Sequence, residues 1–201
     1  PLIVALRDED ELVRRLAVEA LVRIKDVRTV EPLVGALGDK DELVRRLAAE
    51  GLGWIGDPRA SAPLIGTLGD EDITVRQASA KALESIGTLA VESLATALRE
   101  KTGGKRLEVV NVLARMGGLE GVDPLVAALG DEDIAVRLTA ARTLGEIGDM
   151  RSVRRLAACL EAEEPMSMVA AVALVKISRQ PEAAKAEQTL KTSRVGRLFL
   201  L

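Results

Sequence analysis

Apolar residues recur along the chain at helical spacing, in blocks that themselves repeat. In "DEDIAVRLTAARTLGEIGD", residues 131–149, Val136, Ala140, Thr143, Leu144 and Ile147 fall on one stripe of a helix. Asp133 stands where an N-cap is needed and Gly148 where the helix must stop. Asp10, Asp41 and Asp72, with Gly56, Gly87 and Gly117, place the same signals in other blocks. A shorter apolar segment such as "PLVAAL", 124–129, precedes each acidic turn, and Asp57-Pro58 marks the start of another. Each block therefore predicts a short helix followed by a long one.

The blocks share one period. Pro1-Leu2, Pro32-Leu33 and Pro63-Leu64 are 31 residues apart, and Ser93-Leu94, Pro124-Leu125 and Arg155-Leu156 continue the series with a one-residue slip. A fixed period of this length predicts a solenoid, in which each unit buries its apolar face only against its neighbours. The predicted units are 1–31, 32–62, 63–92, 93–123, 124–154 and 155–184. A polar half-repeat cap over 182–192 and a tail over 193–201 follow, so that one array covers 1–192.

The recurring D-x-D-x-x-V-R-x-x-A-A-x-x-L-x-x-I-G-D pattern, clearest at 39–57 and 131–149, resembles the HEAT-like repeat of the phycobilisome-lyase family. The resemblance covers about residues 1–190. It implies an all-α fold, a right-handed α-solenoid of two-helix repeats whose second helices line a concave side. Two departures stand out. The fourth unit reads "KTGGKRLEVVNVLARMGG", losing the aspartate cap and placing Gly103 and Gly104 at the helix start, which predicts looser geometry. The sixth has Ser167 in place of the arginine that the others carry.

Positions shared by all units are explained by architecture, so candidate contacts are those that vary. Taking Arg14, Arg45, Arg76, Arg106, Arg137 and Ser167 as reference, these are three and two before it and one, two, five and nine after it. They fall in one arc of about 140°, the candidate concave face. Its basic members (Arg15, Arg23, Arg46, Lys81, Arg115, Arg142, Lys176) equal in number its acidic ones (Glu11, Glu19, Glu42, Glu50, Glu108, Glu146, Glu164). Nucleic-acid binding needs a basic groove, so this balance argues against the nucleic-acid reading that HEAT-like DNA glycosylases suggest. The apolar members Leu12, Leu16, Leu43, Leu47, Trp54, Leu107, Leu138 and Met168 instead suit a helix or extended segment of a partner protein.

The expected partner-binding residues are Leu12, Arg15, Arg23, Leu43, Arg46, Leu47, Glu50, Trp54, Lys81, Leu107 and Arg142. Trp54, the single tryptophan of the chain, occupies a slot filled by Arg23, Ser85, Arg115 and Glu146 in other units. It is expected to contact a partner in a patch with Leu43, Leu47 and Arg23, or to stack on Arg23 and stiffen the array. Leu16 and Leu47 either meet the partner or pack on the next repeat. The reference arginines and turn aspartates are expected to satisfy backbone carbonyls and each other, and Arg15 to pair with Glu19 and Glu19 with Arg23.

Composition narrows the function classes. Histidine is absent, which removes the commonest general base and metal ligand, and no cofactor or metal is expected. It also rules out the His-Glu di-iron chemistry that the resemblance suggests through deoxyhypusine hydroxylase. A subunit or chaperone of a bilin-lyase-like enzyme is the alternative to a noncatalytic protein-interaction scaffold. Cys159 occupies a slot held by Ala5, Ala36, Thr67, Ala97 and Ala128, and is expected inside a short helix as a small core residue. One cysteine suits a reducing, cytoplasmic setting. The apolar run Met168–Val175 is far below the roughly 20 residues that span a bilayer, so no membrane role is expected.

Overall fold

The computed structural model describes residues 1–100 and 105–181. These are α-helices joined by 3-10 turns and loops, with no strand among the described residues, and the fold is an all-α repeat solenoid. Contacts divide the chain into two compact units, Pro1–Met116 and Gly117–Leu201. In the first, the short helices are α1 (Leu2–Ala5), α3 (Val30–Ala36), α5 (Ser61–Thr67) and α7 (Val91–Arg99). Its long helices are α2 (Glu11–Ile24), α4 (Glu42–Ile55), α6 (Ile73–Ile86) and α8 (Arg106–Met116). The second contains α9 (Val122–Ala128), α10 (Ile134–Ile147), α11 (Val153–Ala158) and α12 (Met166–Ser178). Gly103, Gly104, the half-repeat 182–192 and the tail 193–201 lie outside the described residues.

Local chemistry places the helix ends where the pattern predicts them. Asp10 accepts the N–H of Leu12 at 2.8 Å, Asp41 that of Val44 at 3.0 Å, Asp72 that of Thr74 at 2.8 Å and Asp133 that of Ala135 at 2.8 Å. Each such cap stabilises its helix by about 1 kcal/mol. α4 and α10 end at left-handed glycines, Gly56 and Gly148, while α2 uses Lys25 (φ 52°) where a glycine would be unstrained. Every short helix after α1 follows a 3-10 turn, and the turn before α7 begins at the stop glycine Gly87 itself. Asp26, Asp57 and Asp149 cap three of these turns and also hold Arg28, Arg59 and Arg151 two residues on.

Burial then joins neighbouring repeats. In the first unit α4 packs between α2 and α6, and α6 also meets α8, with α3, α5 and α7 packed beneath. Leu33, Leu64 and Leu94 from the short helices and Leu52, Leu83 and Leu113 from the long ones are fully buried. Each contributes roughly 1.5–3 kcal/mol. In the second unit Leu125, Ala140, Leu144 and Leu156 form the corresponding core, with Val136 and Thr143 also buried.

The reference arginines close the turns, in a pairing that the i, i+4 spacing does not reveal. Arg14 donates through Nη1 to the carbonyls of Asp8 (2.9 Å) and Glu9 (3.1 Å), and through Nε and Nη2 to Asp39 in the next turn. Arg45 repeats this with the carbonyls of Asp39 and Lys40 and the carboxylate of Asp70. Arg76 and Arg137 hold their own turns likewise. The aspartate four residues ahead is a helix cap, so the ladder is structural, linking one repeat to the next.

Candidate functional site

The centre of the candidate site is Trp54, on the last turn of α4. Its indole is 67% exposed. Two hollows flank it, both within the first unit. One, about 280 Å³, lies over the seam of α2 and α4 and has Val22 and Leu47 as its apolar floor, with Glu19, Arg23 and Glu50 around it. The other, about 460 Å³, lies over the seam of α4 and α6. Gly53, Ala78 and Ala82 line its base, and Arg46, Glu50, Gln77 and Lys81 are among its polar walls.

Gly53 sets the shape of the second hollow. A Cβ on Gly53 would lie 2.7 Å from Ala82 Cα, inside contact distance with backbone, so only glycine lets α4 and α6 approach this closely. On the other side a Cβ on Gly51 would lie 2.1 Å from Val22 Cγ2. Two glycines thin α4 on the flanks that meet its neighbours, and the indole rises between the seams. Gly53 is not among the residues expected from the sequence to contact a partner. The signal was present in the slot eight after the reference arginine, which holds Val22, Gly53, Glu84, Ala114, Gly145 and Val175. Gly145 stands equally close to Ala173.

The structure brings together six of the expected residues, Arg23, Arg46, Leu47, Glu50, Trp54 and Lys81. Leu43, expected beside Trp54, lines neither hollow. It lies three helical turns earlier on α4, about 16 Å along the axis. Leu12 is 57% exposed on α2 and also stands apart from both hollows. Leu107 is half-buried on α8, and Arg142 is exposed on α10 in the second unit. Leu16 is 56% exposed although α4 packs beside α2, so the next repeat does not cover that slot, whereas Leu47 shares a hollow with Val22 of the preceding helix.

Charges around the indole are largely paired. Arg23 lies 3.7 Å from Glu19 and Arg46 lies 3.9 Å from Glu50. Arg15 corrects the expected pattern: it does not pair with Glu19, but donates to Asp41 at 2.6 and 2.9 Å and reaches Glu11 at 3.5 Å. The buried cap carboxylate of the next repeat outcompetes an exposed neighbour on the same helix. The Arg15 hydrogen bond, aided by the N–H of Val44, holds Asp41 down at about 2 against burial, which pushes it up. Arg15 is thus engaged with the carboxylates of the fold.

Cys159 also departs from expectation. It is the residue after α11, opening a 3-10 turn, and is half-buried, with burial raising its thiol above the ordinary range. Among the described residues no group of three or more His, Cys, Asp or Glu side chains is placed to hold a metal ion, and no helix is long and apolar enough to cross a membrane.

The model of HEAT repeats matches residues 1–84 and 91–177. The chain belongs to the HEAT-repeat family. No curated protein is significantly similar to this HEAT-repeat chain in sequence. Among solved structures it resembles Drosophila melanogaster Mini spindles TOG3, with TM-score 0.69, 14% identity, and 89% of this chain and 92% of that one covered. The MAST/Orbit N-terminal domain gives TM-score 0.63, 21% identity and coverage of 89% and 97%. The complex of CpcE and CpcF of phycocyanin lyase from Nostoc sp. PCC7120 gives TM-score 0.47 and 23% identity, covering 96% and 80%. These likenesses concern the fold.

Proposed function

We propose that this HEAT-repeat chain is a noncatalytic protein-interaction scaffold, and that the face of its long helices around Trp54 receives a partner protein or peptide. The observation that carries the reading is the large exposed indole between two hollows, at a slot that holds a polar side chain in most other repeats. A tryptophan buries some 150–250 Å² when covered, and at about 25 cal/mol per Å² its exposed part forgoes about 3 kcal/mol. A partner that covers it recovers that energy. Arg23, Arg46, Glu50 and Lys81 form the rim and Leu47 part of the floor; Leu12, Leu43 and Leu107 are further contacts on the first unit's long helices, and Arg142 on α10 is a separate contact of the second unit.

The test is affinity capture from the native source, with the captured protein identified by mass spectrometry and its binding remeasured with purified components. Trp54→Ala should weaken that binding by roughly 2 kcal/mol or more, as for other interfacial tryptophan anchors. Unchanged affinity would make Trp54 irrelevant to recognition. Because the face is balanced in charge, the affinity should depend weakly on salt.

A further inference from the structure

We propose that the two hollows beside Trp54 form a site for a proline-rich segment of a partner protein in the polyproline II conformation, carrying an apolar residue and, three positions away, a carboxylate. The inference rests on the scaffold reading above and narrows its partner. The hollows lie over successive seams, α2 with α4 and α4 with α6, so they are about one helix spacing apart. For packed helices that is roughly 8–10 Å, and Gly51 and Gly53 favour the lower end.

A ligand must place one group in each hollow and still pass over the indole ridge. Polyproline II has three residues per turn and rises about 3.1 Å per residue, so positions i and i+3 face the same side about 9 Å apart. An extended strand presents same-side groups at about 6.6 and 13 Å, too short and too long. An α-helix, about 10–12 Å thick with its side chains, would rest on the ridge and be held off both hollows. In polyproline II the side chains of the two residues between the anchors turn about 120° to either side, so only the slim backbone and ring edges pass over the indole.

The chemistry of the hollows assigns the anchors. The smaller one has an apolar floor of Val22 and Leu47, and its basic side chain, Arg23, lies beside Glu19. It suits leucine or proline. In the larger one Arg46 lies beside Glu50, while Lys81 is exposed and has no ion-pair partner among the described residues. An incoming carboxylate completes that charge. The exposed Gln77 amide on the same rim can donate to a prolyl carbonyl, which a chain poor in N–H groups presents freely.

The chain has a single tryptophan, so its fluorescence reports the site directly when titrated with peptides that lack aromatics. The probes are Pro-Pro-Leu-Pro-Pro-Glu-Pro-Pro and its reverse-order counterpart, the same pair with lysine for glutamate, and an alanine-based helical peptide with leucine and glutamate seven apart. One order of the glutamate peptide should shift the emission and saturate with Kd on the order of 100 µM. The lysine form should bind at least tenfold more weakly, and Lys81→Glu should reverse that preference. Calorimetry should show binding lost in Trp54→Ala.

No shift with either glutamate peptide up to millimolar concentration would overturn the inference. So would equal binding of the lysine form, or tighter binding of the helical peptide. Competition separates this inference from the scaffold reading. If a purified partner binds through Trp54 but is not displaced by saturating proline peptide, the scaffold stands and the polyproline assignment fails.

Discussion

The first two long helices are near copies that present different surfaces. α2 reads "ELVRRLAVEALVRI" and α4 reads "ELVRRLAAEGLGWI". They differ at four places: Val18 against Ala49, Ala20 against Gly51, Val22 against Gly53, and Arg23 against Trp54. The first three changes all make α4 slimmer, and the fourth makes it bulkier at one exposed point. The changes are physically coupled. Val22 of α2 fills the space that Gly51 vacates, Ala82 of α6 fills that beside Gly53, and the indole stands between the closed seams. A few side-chain volumes, with everything else held constant, distinguish a repeat with a charged helix end from one that presents an exposed indole.

The comparison can be broken where the two helices are alike. Arg45, like Arg14, is buried against its aspartate, with side-chain exposures of 9% for Arg45 and 10% for Asp70. Arg45→Ala should destabilise the fold by about 3–5 kcal/mol, because Asp70 and the turn carbonyls lose their donor. A denaturant midpoint within error of the parent's would mean the ladder is decoration.

It can be sharpened where they differ. Gly53→Val, which copies repeat 1, should cost about 3 kcal/mol through the clash with Ala82 backbone. Gly51→Ala should cost about 1–2 kcal/mol and be partly rescued by Val22→Ala, a coupling that a double-mutant cycle reads directly. Additive single effects would show that the two positions do not share one space.

A pH series tests the contact between the two repeats. The Arg15 hydrogen bond holds Asp41 at about 2 against an ordinary 3.8, and Arg28 does the same for Asp26. Both carboxylates resist protonation when folded. Their contribution is therefore present above about pH 4 and is lost as the pH falls through about 2. Urea midpoints between pH 5 and 2 should fall less steeply for Asp41→Asn than for the parent. The smallest effect is expected at the most conspicuous residue: Trp54→Arg, again copying repeat 1, should change stability by about 1 kcal/mol or less, since the ring is two-thirds exposed. A loss of 3 kcal/mol or more would mean the indole is core and not surface.

The period, the two helices per repeat, the aspartate caps and the glycine stops were all legible in the sequence by itself. These features depend on hydrogen bonds within a turn or two and on apolar spacing around one helix, and both are written locally. Trp54 stood out by comparison among the repeats. What only the tertiary structure decided is the set of relations between helices. Arg14 takes Asp39 and not Asp10, Arg15 takes Asp41 and not Glu19, Leu47 turns toward Val22 while Leu16 stays in water, and Leu43 falls outside the Trp54 site. Each outcome depends on how closely and in what register two helices meet. That is set by paired volumes such as Val22 with Gly51 and Gly53 with Ala82, contributed by residues some thirty positions apart, and the pattern of one helix records only its own half of each pair.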